Sequence, residues 1–342
     1  MNTELLNSAL DKYEKEGCFG ALRITQNDEV IFERSLGYAN IETKEVFTKD
    51  SRFTFYSLSK PFCAIGLMKL CDRGLIDIER HPGEYLAEAS GFHRDVKIYQ
   101  LLNHTSGIPD FVQTEAFYEK YRESGKSERE LLPILAEYEG FFAPGEAGRY
   151  TNVNFVIPAM IIERVSGLSY AEYMKKEVFT PLGMTAEVDR EGLVIPNRVT
   201  GYVRDDDNSI RPIKKTYFSM LGAGDIVGTV DDVYCLGIAI KKRLLLTEKN
   251  WNRVLTPSPI NDMGYGCAVY DWHGKSRIQH NGGSAGFRTM HFLLSEYDLD
   301  VIFLSNSGFG NYRDSVAEAV HEAFFGKSAD DGKKIEMDKG YI

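Results

Sequence analysis

Eight consecutive uncharged positions, Pro61 to Met68, spread Phe62, Ile65, Leu67 and Met68 around the whole circumference of a helix, and Leu70 continues the pattern. A helix that is apolar on nearly every side is a buried one. Lys69, Asp72 and Arg73 mark its end, and Gly74 supplies the residue just past it. Phe53-Thr54-Phe55-Tyr56 reads as an extended lead-in, and Pro61 falls in the first turn, where a missing N–H costs little.

Around this helix the chain alternates between two periods. Asn2 or Thr3 can cap a first helix with Leu6, Leu10 and Tyr13 on one face, ending at Gly17. Residues 19–25 and 30–36 predict a hairpin across a polar turn. Residues 96–103 predict a short helix, 114–139 a charged helical stretch, and 154–165 and 170–178 two more helices. Residues 199–204 and 210–213 flank the acidic turn Asp205-Asp206-Asp207-Asn208, a second hairpin. Thr229 caps a helix running through Lys242. The short β-branched and aromatic runs 264–272, 276–280, 288–294 and 300–304 predict consecutive antiparallel strands, and a last helix spans about 312–325.

Strands with flanking helices therefore occupy both ends and helices fill the middle. The predicted fold is α+β: an antiparallel sheet flanked by the N- and C-terminal helices, with a mainly helical domain inserted. Residues 1–56 with 216–327 would form the sheet domain, 57–215 the helical domain, and 328–342 a polar tail. Ser57 would lie at the seam of the two domains, where clefts form.

The candidate chemistry starts with Ser57 and Lys60, one helical turn apart and so on one face. A serine hydroxyl is a poor nucleophile until a base takes its proton. A lysine at the start of a buried helix loses solvation and faces the positive end of the helix dipole, and both favour the neutral amine. Tyr150-Thr151-Asn152 adds a phenol that can relay a proton and an amide that can both donate and accept. His280-Asn281-Gly282-Gly283 ends a strand in glycine, where another backbone can approach closely. A substrate pairing there would bring its carbonyl near the Gly283 N–H, which with the Ser57 N–H makes an oxyanion hole. The second and third motifs recur by chance: Tyr38-Ala39-Asn40 and His81-Pro82-Gly83 match them in form.

Composition narrows the classes. With 342 residues, 43% hydrophobic, the chain has ample core, and a net charge of −10 argues against nucleic-acid or anionic-membrane partners. The longest uncharged run, Tyr150 to Ile162, is too short to span a bilayer. No basic segment followed by an apolar one opens the sequence, so a cytoplasmic location is expected. Five cysteines without a CxxC predict free thiols in a reducing compartment. No metal or cofactor is expected. His321-Glu322 lacks a second histidine at zinc-protease spacing, and Gly222-x-Gly224 lacks the further glycine of a dinucleotide loop. Gly282-Gly283-Ser284-Ala285-Gly286 has the Gly-x-Ser-x-Gly form, with His291 and His321 downstream. That motif needs a sharp elbow entering a helix, and the sequence that follows reads as strand.

Taken in order, Ser57-x-x-Lys60, Tyr150-x-Asn152 and His280-x-Gly282 resemble the serine β-lactamase and penicillin-binding protein superfamily, in its class C β-lactamase-like branch. The stretch Leu101 to Pro109 and Pro144-Gly145 ahead of Tyr150 agree, and the similarity covers roughly residues 19–325. The resemblance implies a β-lactamase/transpeptidase-like fold and acyl transfer through a Ser57 acyl-enzyme. Lys60 and Tyr150 would assist, with either as the base. The Ser57 and Gly283 N–H groups would hold the oxyanion, and Asn152, His280, Asn281 and Gly282 would bind substrate. A small-molecule or peptide substrate is implied: a D-amino-acid peptide, an ester or a β-lactam. D-alanyl-D-alanine carboxypeptidase, D-amino-acid peptidase and esterase activities rank ahead of β-lactamase proper, because the third motif carries His-Asn-Gly where those β-lactamases carry Lys-Thr-Gly. Arg149 and Arg288 are candidates to replace the missing positive charge. A non-hydrolytic binder of peptidoglycan fragments is the alternative from another class.

Overall fold

The computed structural model describes residues 1–190, 193–213, 220–284 and 286–326. The predicted polar tail from 328 lies outside the described residues. In chain order the elements are α1 (Thr3–Lys15), β1 (Gly20–Gln26), β2 (Glu29–Leu36), β3 (Phe53–Thr54), α2 (Lys60–Asp72), α3 (Ile98–Leu102), α4 (Glu115–Tyr121), α5 (Glu128–Leu135), α6 (Val153–Ser166) and α7 (Tyr170–Met174). They continue with β4 (Glu187–Val188), β5 (Tyr202–Arg204), β6 (Ile210–Pro212), β7 (Ile226–Gly228), α8 (Val230–Lys241), α9 (Glu248–Leu255), β8 (Ala268–Trp272), β9 (Lys275–Ser284), β10 (Phe287–Leu294), β11 (Leu299–Ser305) and α10 (Tyr312–Phe325).

The α+β prediction holds. A six-stranded antiparallel sheet in the order β2-β1-β11-β10-β9-β8 joins the two ends of the chain, with β1 paired to β11 from Gly20↔Ser305 to Gln26↔Leu299. Alternation sorts its faces. Leu22, Ile24, Met290, Phe292, Val301 and Phe303 pack against Leu6 and Leu10 of α1 and Val316 and Val320 of α10. Leu293, Ile302 and Leu304 face the other way, into a core shared with Val233 and Leu236 of α8 and most of α2 and α6. The α2 helix is buried on all sides, as its composition requires.

Four predictions need correction. Residues 114–139 form two helices, α4 and α5, because the Ser124-Gly125 turn breaks the run and Ser127 caps a new start. The α7 helix stops at Met174 and widens into a π-type turn, Lys175–Phe179. The extended lead-in pairs only at Phe53 and Thr54, and Tyr56 takes a positive φ of 48°. Ser57 consequently sits not on the helix but on a 3-10 turn, Tyr56–Ser59, that feeds it. The sequence also leaves unpredicted α9, the strands β4 and β7, and their pairing with β3 in a small sheet.

Strand β9 sets that 3-10 turn in place. A Cβ on Gly282 would lie 2.0 Å from the Phe55 carbonyl oxygen, 2.3 Å from the Thr289 hydroxyl and 3.1 Å from the Leu58 nitrogen. The Phe55 carbonyl also accepts from the Thr289 hydroxyl at 2.8 Å, while the Phe55 N–H donates to Ile226 at 2.9 Å. Backbone thus rests directly on backbone, and only glycine permits it. Gly282→Ala should destabilise the fold by roughly 1–3 kcal/mol through overpacking. It should also slow labelling of Ser57 by a serine-directed phosphonate at least tenfold. Thermal unfolding and intact-mass kinetics check this, and an unchanged labelling rate would count against the packing argument.

Candidate active site

Lys60 is the first residue of α2 and is fully buried. Its Nζ lies 3.0 Å from Ser57 Oγ, 2.9 Å from Asn152 Oδ1 and 2.8 Å from the Ala223 carbonyl oxygen. Burial pushes its pKa down to about 7, against smaller opposing pulls from Asp110, Cys63 and Asp225. Asn152 Oδ1 and the Ala223 carbonyl can only accept hydrogen bonds. They therefore take the two N–H bonds of a neutral amine, and its lone pair is left facing the Ser57 hydroxyl.

Tyr150 closes the other side. Lys60 Nζ stands 4.7 Å from the centre of its ring. The His280 ring is 6.2 Å from it at 50°, and the His104 ring stacks on it at 4.2 Å and 29°. Ser57, Lys60, Tyr150, Asn152 and His280 thus meet, although they come from the 3-10 turn, α2, the approach to α6 and β9. The chance matches do not join them. Asn40 bridges Glu45, and His81 caps a 3-10 turn through the Gly83 N–H.

His280 differs from the cation that a Lys-Thr-Gly motif would place here. Its Nδ1 is 2.6 Å from the Asn281 carbonyl oxygen, which only accepts, so the proton sits on Nδ1 and Nε2 presents a lone pair. Burial, with Lys60 nearby, pushes its pKa down to about 3, so the ring is uncharged near neutrality. Arg149 is exposed, bonded to Gln113 and laid over the Phe141 ring at 3.8 Å. Arg288 donates to the Ser284 and Phe287 carbonyls at the β9–β10 hairpin.

The free edge of β9 has the form a substrate backbone can pair with. Strand β8 reaches only as far as the Ala268↔Gln279 pair, whereas β10 continues through Phe287↔Ser284. In a hairpin closed by the pair Ser284 and Phe287, residues 284, 282 and 280 exchange bonds with β10. Asn281 and Gly283 then turn their N–H groups toward the open edge. The same alternation puts the Asn281 side chain opposite Met290, on the face away from Gly282 and the Ser57 turn. The structure therefore does not bring that side chain to Ser57 with the others. What Asn281 supplies is the carbonyl that orients His280.

Two residues outside the motifs hold the site together. Asp110, buried, accepts the Asn152 and Val153 N–H groups on Oδ2 at 2.7 and 3.1 Å, and those of Val112 and Gln113 on Oδ1 at 2.9 and 3.2 Å. It clamps the start of α6 to the preceding loop. His104 takes a positive φ of 60°, with Nδ1 3.1 Å from the Asn154 amide nitrogen and 3.4 Å from the Thr151 N–H. Both neighbours donate, so its proton is on Nε2, and burial drives its pKa well below the usual range. The stretch Leu101 to Pro109 contains His104 and ends one residue before Asp110, but names neither as a site residue.

The Gly-x-Ser-x-Gly alternative fails on topology. Ser284 ends one strand and Phe287 begins the next. His291 is bonded to Asp300 at 3.1 Å in the sheet, and His321 stacks with His273 at 4.1 Å on α10. Among the described residues no three His, Cys, Asp or Glu side chains are arranged to hold a metal, all five cysteines are free, and no helix is long and apolar enough to cross a membrane.

Comparison with known proteins places the chain in a family. The chain is 27% identical over 339 residues to penicillin-binding protein 4* of Bacillus subtilis, covering 93% of this chain and 74% of that protein. It is 23% identical over 299 residues to the D-aminopeptidase of Gluconobacter oxydans, covering 84% of this chain but only 55% of that protein. The crystal structure of D-amino acid amidase from Ochrobactrum anthropi, complexed with D-phenylalanine, superposes with a TM-score of 0.79 at 22% identity, covering 94% of this chain and 99% of that one. The chain belongs to the beta-lactamase family, whose sequence model matches residues 9–324, and is thereby a serine hydrolase.

Proposed function

We propose that the protein hydrolyses D-amino-acid amides or peptides through an acyl-enzyme on Ser57. The observation that carries the reading is the Lys60 amine, buried and 3.0 Å from Ser57 Oγ with two carbonyl acceptors to hold its N–H bonds. Ser57 Oγ attacks the substrate carbonyl and its proton passes to the Lys60 lone pair. The ammonium so formed has a third N–H for the serine oxygen. The N–H groups of Ser57 and Gly283 stabilise the oxyanion. As the C–N bond breaks, Tyr150 conveys a proton to the departing amine, and water then releases the acid by the reverse route.

The uncharged His280 favours amides over C-terminal carboxylates. A carboxylate pairs best with a cation, and this imidazole offers only a lone pair. An amine or amide N–H of the substrate can donate to that lone pair. The names of the relatives point the same way: a D-aminopeptidase by sequence and a D-amino acid amidase by fold.

A fluorophosphonate should leave one adduct on Ser57, detected by intact mass, and none on Ser57→Ala. Ser57→Ala should lower kcat by at least about 10³-fold. A wild type that takes no reagent would support the non-hydrolytic binder instead.

The acylation rate should climb with pH and reach half its plateau near 7. The ammonium, which cannot accept a proton, is the form below that pH and the amine the form above it. His280, at about 3, adds no further limb in this range. An inflection near 10 would overturn the lowered Lys60 amine and leave the base to be either an ordinary lysine or Tyr150.

D-phenylalanine amide should be turned over with a kcat/KM at least tenfold above that of a D-Ala-D-Ala peptide with a free carboxylate. His280→Lys should shift that ratio toward the carboxylate by about tenfold, the strength of one charge-assisted hydrogen bond. A wild-type preference for the carboxylate peptide would overturn the amide reading.

A further inference from the structure

The segment from Gly222 to Ile226 lies behind the reactive pair. The Ala223 carbonyl accepts from Lys60 Nζ at 2.8 Å, and the Ile226 N–H donates to Ser59 Oγ at 3.0 Å. The Asp189 N–H donates to the Asp225 carbonyl at 2.6 Å. The Asp225 carboxyl folds back onto its own loop, where Oδ2 accepts the Gly222 N–H at 3.0 Å. That carboxyl is buried, and its second oxygen, Oδ1, meets no hydrogen-bond partner among the described residues. An unsatisfied oxygen on a buried acid is costly, so its retention beside a buried amine calls for a reason.

We propose that Asp225 is a positioning residue for Lys60: its carboxyl braces the turn that presents the Ala223 carbonyl to the amine, and its charge adds to that of Asp110 in favouring the ammonium. The inference rests on the Ser57–Lys60 reading given above.

The groups around the two side chains support this assignment. Cys63 of α2 and Tyr170 of α7 face Asp225, and burial raises both, so neither carries charge near neutrality. Glu128 on α5 holds the Leu221 N–H at 3.1 Å at the other end of the loop, and burial pushes it up to about 8. Asp189 acts on Asp225 from beyond β4. Lys60 is the cation of this set. Asp110 acts on it more strongly than Asp225 does, and it lies among Tyr150, His104 and His280, of which both imidazoles are held neutral. Burial raises Asp225 itself to about 7, so acid and amine change charge over the same pH range. The sign follows. An ionised Asp225 favours the Lys60 ammonium, and loss of that charge lets the amine shed its proton at lower pH.

Asp225→Asn keeps the shape and a carbonyl oxygen for the Gly222 N–H while removing the charge. The 13Cε resonance of Lys60 in lysine-labelled protein reads the amine directly. Its midpoint should fall by about one pH unit in the variant, a typical size for loss of one nearby charge. The acid limb of Ser57 labelling by a fluorophosphonate should move down with it. Asp225→Ser provides the same carbon readout should the Asn variant not fold. Equal midpoints in wild type and variant overturn the inference even where Ser57 is labelled normally. A wild type whose Ser57 takes no reagent removes the acylation reading, and the carbon titration still decides what Asp225 does.

Discussion

An ammonium group cannot be taken out of water without compensation of several kcal/mol, and Lys60 is fully buried. The fold resolves this by desolvating the nitrogen, which lowers its pKa to about 7, and by surrounding it with three oxygens that can serve the amine and the ammonium alike. Two are carbonyl oxygens and the third is a hydroxyl that can donate. These partners stand 3, 92 and 163 positions away in the chain. No local segment could assemble them, so the site exists only when the sheet, α2, the start of α6 and the 222–226 loop are all in place. Reactivity and global folding are the same event for this residue.

The need to hold those segments within tenths of an ångström explains features that have no chemistry of their own. Gly282 lets β9 touch the turn that carries Ser57. Gly266, at φ +74°, has no room for a Cβ, which would sit 2.8 Å from the Lys60 carbonyl oxygen. Asp110 gathers four backbone N–H groups from two loops, a set that an uncharged side chain could not satisfy. Tyr56 accepts a positive φ immediately before the nucleophile, a backbone state that persists only where the surroundings over-determine it.

What the sequence discloses divides along the same line. Ser57, Lys60, Tyr150 and His280 are legible because the chemistry demands those residue types at set spacing. The buried character of α2 is legible from its missing charges, and the α+β architecture from strand-like runs at both ends. Asp110, Asp225 and His104 are not, since an aspartate or histidine in a loop looks the same whether it meets water or a buried backbone. Their meaning lies in contacts made across the fold. The same reason hides the strands β4 and β7, too short to show alternation, and the register that turns the Asn281 side chain from the site. Reading 114–139 as a helical stretch without marking its break is a different failure. There the local signals, Ser124-Gly125 and the Ser127 cap, were present but outweighed by the charged helical composition around them.

The site also has an unusual electrical character for a place where an anion must develop. Lys60, His104 and His280 are all basic side chains, yet burial keeps both imidazoles uncharged near neutrality and brings Lys60 down to about 7, where amine and ammonium coexist. Their polarity survives as fixed hydrogen-bond direction: a lone pair on Lys60 toward Ser57, a lone pair on His280, an N–H on His104. In the proposed mechanism, stabilisation of an oxyanion falls to backbone N–H dipoles and to the single positive charge created on Lys60 when it takes the serine proton. A cation that appears only as the anion forms stabilises the tetrahedral state without binding the ground state more tightly, which is the condition for raising kcat rather than affinity.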